Sequence, residues 1–154
     1  MNALTLLRTD HTKVKALLKE LEATTERGVQ TRQRLFADIK AELTVHETIE
    51  EEIFYPELKA HPKAKDLVLE AYEEHNVVDT LMGELSSLSV EDETWGAKAK
   101  VMQENIEHHI EEEEGEMFDK AEQVFDEAEL EDLGRRMAER KESAMAGVRE
   151  STAP

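Results

Sequence analysis

Two histidine-glutamate pairs, His46 with Glu50 and His109 with Glu113, stand four residues apart in stretches whose apolar spacing is helical. Residues four apart on an α-helix lie about 40° apart around the axis and one turn along, so both side chains of a pair reach one point or two adjacent points. An imidazole and a carboxylate offered to one point form a metal-ligand pair. A single pair carries little weight, because glutamate is the commonest charged residue in the chain and a lone buried histidine is more often a hydrogen-bonded core residue. What surrounds the pairs decides their meaning.

Each pair lies on the apolar seam of a helix. The punctuation of the chain, Gly28, the His61-Pro62 turn and the Ser86 to Ser89 run, divides it into helices at about 2–26, 31–59, 62–86 and 90–126. Ser89 with Asp92 resembles a capping box that opens the fourth. The first seam runs Leu4, Leu7, His11, Val14, Leu18, Leu21; the second Ile39, Leu43, His46, Glu50, Ile53. The third runs Val68, Ala71, His75, Val78, Met82, Leu85, and the fourth Met102, Ile106, His109, Glu113, Met117. Every seam therefore passes through one histidine.

Short connections make consecutive helices antiparallel, so residues equidistant from a turn share one height. The midpoint of His11 and His46 falls between residues 28 and 29, that of His46 and His75 between 60 and 61, and that of His75 and His109 at 92. Each midpoint lies at or close to a turn, which puts four histidines at one level. The halves also repeat: DHTKV at 10–14 matches EHNVV at 74–78, and HETIEEEIFY at 46–55 matches HIEEEEGEMF at 109–118. The repeat equates His11 with His75, His46 with His109 and Glu50 with Glu113.

Burying four imidazoles and two carboxylates together costs several kcal/mol unless a metal neutralises and coordinates them. The set fits iron and also accommodates manganese or zinc. If Glu50 and Glu113 each bridge two ions, the side chains supply eight bonds, whereas two ions of this kind need about ten to twelve. The balance leaves positions for water, an oxo group, peroxide or O2.

Composition sets the limits. Lys and Arg total 19 against 37 Asp and Glu, a net charge of -18 that repels nucleic acid phosphates and anionic membranes. With no cysteine there is no disulfide, thiolate metal site or cysteine nucleophile. Few aromatic, glycine and proline residues point to an all-α chain, expected as one domain over 1–147 with a flexible tail over 148–154. No signal-like or membrane-length apolar run occurs, so a soluble cytoplasmic protein is expected.

These residues, DH at 10–11, HETIEEEIFYP at 46–56, EEH at 73–75 and HHIEEEEGEMF at 108–118, resemble the hemerythrin-like family, whose HHE cation-binding motif occurs twice. The resemblance spans about residues 2–145. It implies an up-down-up-down antiparallel four-helix bundle, here with a short additional C-terminal helix, around a non-haem di-iron centre with a bridging oxo or hydroxo group. It implies metal ligands His11, His46, Glu50, His75, His109 and Glu113. Ferritin-like proteins place the carboxylate before the histidine, the opposite order.

One departure matters. Oxygen carriers of the family use a fifth histidine from an HxxxH pair, whereas here Ala71 and Asp79 flank His75 at that spacing. This disfavours reversible O2 carriage and favours the short bacterial members, for which peroxide decomposition in oxidative stress defence is the leading expectation. The alternatives are O2 or NO binding or sensing, or iron handling, without turnover, and a structural bundle with hydrogen-bonded histidines. The expected partners are small ligands, with no nucleic acid or membrane, in a monomer or weak homodimer. Tyr72, three residues before His75, is the candidate substitute ligand, while Tyr55 is expected to pack with Phe54 near the bundle end. Glu47, Glu51, Glu112 and Glu114 read as solvated faces, His108 as a residue at the surface or just behind the site, and His61 as exposed.

Overall fold

The computed structural model describes residues 1–152. Five helical rods succeed one another: α1 (Ala3–Glu22), α2 (29–59), α3 (Lys65–Ser87), α4 (95–124) and α5 (Glu127–Thr152). Among the described residues there is no strand, and no helix is long and apolar enough to cross a membrane. α1 to α4 form the up-down-up-down bundle, and α5 lies outside it against α1 and α2.

Local chemistry moves several expected boundaries. α1 stops at Glu22 because the backbone N–H and hydroxyl of Thr24 both turn back to the Leu21 carbonyl, at 3.0 and 2.6 Å. α4 starts at Trp95, five residues later than expected, because Asp92 accepts from both the N–H and the hydroxyl of Thr94 and makes a turn instead of a helix start. Pro62 lies within the second connection, and α3 begins at Lys65. The capping box of this chain stands elsewhere: Asp126 accepts from the Glu129 N–H at 2.8 Å and Glu129 from the Asp126 N–H at 3.1 Å, opening α5.

α5 is 26 residues long, not short, and runs through Thr152 into the stretch expected to be a tail. Residues 153 and 154 lie outside the described residues. An apolar edge of Leu130, Leu133 and Met137 anchors it in the core, and Arg136 with Glu57 and Arg140 with Glu52 tie it to α2.

The core falls into two apolar clusters. One, built around Leu4, Leu7, Phe54, Tyr55, Leu58 and Phe118, occupies the end near the second connection; the other, around Leu18, Ile39, Leu85, Trp95 and Met102, the opposite end. Between them lie the buried titratable residues His11, His46, Glu50, His75, His109 and Glu113. Arg32, itself buried, joins the first and third connections by donating to Thr24 and to the Val90 carbonyl.

Both long central rods are broken at the same place. α2 consists of Val29–Ile49, a π-helical turn Glu50–Phe54 and Tyr55–Lys59; α4 consists of Trp95–Glu112, a π-helical turn Glu113–Met117 and Phe118–Val124. Each π turn starts at the glutamate of an HxxxE pair, so the turns repeat at the 63-residue offset of the sequence. Such a turn inserts one residue into a helix and re-aims the side chains beyond it.

Gly134 is the close-approach point between α5 and the N-terminus. A Cβ there would come within 2.3 Å of the Met1 carbonyl oxygen and 2.8 Å of the Ala3 nitrogen, both backbone atoms. Gly134→Ala is expected to cost about 1–3 kcal/mol of overpacking, of which better helix propensity returns up to about 1 kcal/mol. Urea denaturation should show a lowered midpoint, and an unchanged or raised midpoint would contradict this packing.

Candidate metal centre

The four seam histidines meet at one level. His11 and His46 pack edge to face with ring centroids 4.9 Å apart, and His75 and His109 do the same at 4.8 Å. Each turns Nε2 inward onto a glutamate: His11 to Glu113 at 3.1 Å, His46 to Glu50 at 3.1 Å, His75 to Glu50 at 3.2 Å, and His109 to Glu113 at 3.2 Å. Glu50 and Glu113 thus each stand between a histidine of one pair and a histidine of the other. Two groups could each hold an ion, His11, His46, Glu50 and Glu113 on one side and His75, His109 and Glu50 on the other.

Behind every histidine stands a carboxylate. His11 Nδ1 meets Glu114 at 2.6 Å, His46 Nδ1 meets Asp10 at 2.9 Å, His75 Nδ1 meets Glu51 at 2.7 Å, and His109 Nδ1 meets Glu74 at 2.7 Å. A carboxylate on Nδ1 fixes the ring and leaves Nε2 as the ligand atom, the usual support of a metal-bound imidazole. Glu51 and Glu114 therefore support the site while remaining partly exposed, which corrects their reading as solvated faces alone. Glu47 is also buried, and burial with a hydrogen bond to Asp79 pushes its carboxyl up to about 9. Glu112 is half-buried beside the exposed His108, and His61 is half-buried against Phe125.

The sequence carries a signal for these partners. Asp10 and Glu74 directly precede His11 and His75, and Glu51 and Glu114 directly follow Glu50 and Glu113, at the same offsets of 64 and 63 residues as the ligands. Each, however, serves a histidine on another helix, which a single-helix pattern does not reveal.

The tyrosine expectation is also corrected. Tyr72 is only partly buried and packs its ring against Tyr55, 5.4 Å between centroids. Tyr55 is the one that reaches the centre: its hydroxyl donates to Glu113 Oε2 at 2.5 Å and lies 3.4 Å from Nε2 of both His75 and His109. In a regular helix Tyr55 would stand about 140° around the axis from Glu50. The π turn binds the Tyr55 N–H to the Glu50 carbonyl instead, so the ring rises above Glu50 on the same face. At the equivalent place in the second half stands Phe118, which stacks on His11 at 6.2 Å.

Five buried atoms of this layer lack a hydrogen-bond partner: Nε2 of His11 and His46, both oxygens of Glu50, and Oε1 of Glu113. Leaving buried polar atoms unmatched costs about 1–3 kcal/mol each, more when charged. All five face the same interior, and this chemistry fits a pair of divalent or trivalent ions.

Toward the first and third connections, a small space of about 20 Å³ is bounded by the four histidines, Glu47 and the apolar side chains of Val14, Leu43, Val78, Ile106 and Ile110. That is room for about one water-sized molecule. Glu47 also lines a surface cleft of about 530 Å³ with Lys40, Glu51, Asp79 and Arg140, and so separates the buried space from solvent.

Residues 2–121 match the family described as Hemerythrin HHE cation binding domain. The crystal structure of a hemerythrin HHE cation binding domain-containing protein from Mycobacterium kansasii superposes with a TM-score of 0.86 at 28% identity, covering 96% of this chain and 89% of that one. A DNA nickase of Nostoc sp. strain PCC 7120 is 27% identical over 118 residues, 77% of this chain; the chain spans about a third of that relative, 33% of its length.

Without metal, His46, His75 and His109 hold protons more tightly than a free imidazole. Burial lowers the proton affinity of His75 and His109, but Glu50 and Glu51 outweigh it for the first, and Glu113 and Glu74 for the second, which titrate at about 9 and about 10. The unfolded value is about 6.5. Because the folded values are raised, this stabilisation is complete below about pH 6.5 and is lost as pH rises toward 9–10. Urea midpoints of the metal-free protein should fall between pH 6.5 and 10, and metal binding, which needs neutral imidazoles, should release protons measurable by calorimetry in two buffers. Binding without proton release would contradict the arrangement.

Proposed function

The chain belongs to the hemerythrin HHE cation-binding domain family, and from that premise we propose that it binds two iron ions in the buried His and Glu layer and decomposes hydrogen peroxide there. The observation that carries the reading is the set of five unpartnered buried atoms backed by four carboxylate-held imidazoles. His11 and His46 would hold one ion and His75 and His109 the other, with Glu50 and Glu113 spanning both.

When bound, the iron pair supplies the two electrons by which one H2O2 becomes two waters while a second H2O2, losing two electrons and two protons, becomes O2. The residues do the rest. The carboxylates on Nδ1 hold the imidazoles in one orientation, and the apolar ring of Val14, Leu43, Val78, Ile106 and Ile110 excludes bulk water. Burial and the charges of Glu113 and Glu50 push the Tyr55 phenol well above its ordinary value, so it stays protonated and keeps a donor on Glu113. We read a space of about 20 Å³ as admitting H2O2 more readily than a bulkier alkyl peroxide. We read the acidic surface as unsuited to nucleic acid, so the nickase relative does not extend its activity to this chain.

Iron-loaded protein is expected to evolve one O2 for every two H2O2 and to leave tert-butyl hydroperoxide untouched. Val78→Ile adds a methylene where about 20 Å³ is free and should slow peroxide turnover about tenfold or more, a barrier rise of about 1.4 kcal/mol, without loss of iron. No O2 from peroxide, with a reversible spectral change on adding O2 or NO, would instead favour binding without turnover.

A further inference from the structure

The four carboxylates behind the histidines are not equivalent. The side chains of Glu51, Glu74 and Glu114 are 39%, 21% and 30% exposed, so each keeps access to solvent beside its histidine contact. Asp10 is 3% exposed, and its second oxygen meets Lys141 Nζ of α5 at 2.5 Å. A buried carboxylate needs such a counter-charge, because burial alone disfavours its ionised form. At the matching place in the second half, Glu74 makes no ion pair with a lysine among the described residues and instead neighbours Glu112 and His108, the latter at 3.9 Å. A chain of direct contacts therefore runs from α5 into one half of the centre, Lys141 to Asp10 to His46 to Glu50, and has no counterpart in the other half.

We propose that Lys141 is a positioning residue for the His11 and His46 half of the centre alone: it holds Asp10 in the orientation that aims His46, so this one contact, and not the docking of α5 as a whole, sets how firmly that half keeps its ion. The inference rests on the two-iron reading above. Asp10 is buried and its other oxygen meets Lys141, so without Lys141 that oxygen loses its counter-charge and the carboxylate can turn away from the imidazole. The His75 and His109 half, supported by Glu51 and Glu74, does not touch α5 through any of these contacts. The consequence is ordered release, in which the ion of the His11 and His46 half leaves first when the Lys141 to Asp10 contact is lost.

The test is chelator competition on the reduced, iron-loaded full-length chain, tracking iron retained per chain against 2,2'-bipyridyl for the wild type, Lys141→Gln, Lys141→Arg and Arg140→Ala. Lys141 is 33% exposed, so the glutamine substitution does not threaten folding. Arg140→Ala removes the neighbouring α5 ion pair with Glu52 and controls for weakened docking in general. Altered support of a metal-bound histidine changes affinity about 10- to 100-fold, and one contact further out we expect the lower end. For Lys141→Gln the first iron should leave at about tenfold less chelator and the second within about twofold of the wild type. Lys141→Arg should restore wild-type release, and Arg140→Ala should leave it unchanged. Unaltered release in Lys141→Gln, or equal weakening of both irons, would overturn the inference while the two-iron reading stands. A wild type that takes up no iron would overturn both.

Discussion

Two glutamates buried without enough hydrogen-bond partners constrain everything else in the molecule. Glu50 and Glu113 sit at 0% and 1% exposure in a bundle whose neighbouring layers are apolar, and three of their four oxygens lack a hydrogen bond. An isolated buried carboxylate costs several kcal/mol, so it must be surrounded by positive charge. The four inward Nε2 atoms answer that need, and burial lifts the Glu113 carboxyl less than its contacts with Glu50, His109 and His11 hold it down. The histidine rings are in turn anchored by Asp10, Glu51, Glu74 and Glu114. The layer is thus an alternation of acid and base from outside to inside, closed where metal ions fit.

The backbone is bent to this arrangement. A regular helix would carry the residues after Glu50 and Glu113 away from the site, whereas the π turns at Glu50–Phe54 and Glu113–Met117 return Tyr55 and Phe118 to it. The two halves then diverge where they were most alike. Tyr55 brings a hydroxyl to His75 and His109, and Phe118 brings a ring face to His11. Lys141 reaches the Asp10 side only. A duplicated scaffold therefore presents two unlike sides, one touched by a phenol and one by the outer helix.

The four seams, the common level and the repeat were legible in the sequence, because helical period and distance from a turn are arithmetic on residue numbers. Tyr55 was not, since the one-residue insertion of a π turn changes the phase of every residue after it and leaves no composition signal. Glu51 and Glu114 looked like solvent face for the same reason that they work: they lie beside the seam, where a neighbouring helix can reach them. The boundaries of α1 and α4 moved because Thr24 and Asp92 commit their side chains to turns, and the length of α5 depends on Leu130, Leu133 and Met137, whose partners lie on other helices. Pattern within one helix was readable, whereas contact between helices was not.

The most direct test of the central claim is elemental analysis of the chain expressed with iron available, beside the variant with His46 and His109 both changed to alanine. The expected result is about two iron ions per wild-type chain, almost none in the variant, and a lower melting temperature for the variant than for the loaded wild type. A wild-type chain that purifies free of metal, with a melting temperature unmoved by losing both histidines, would contradict it.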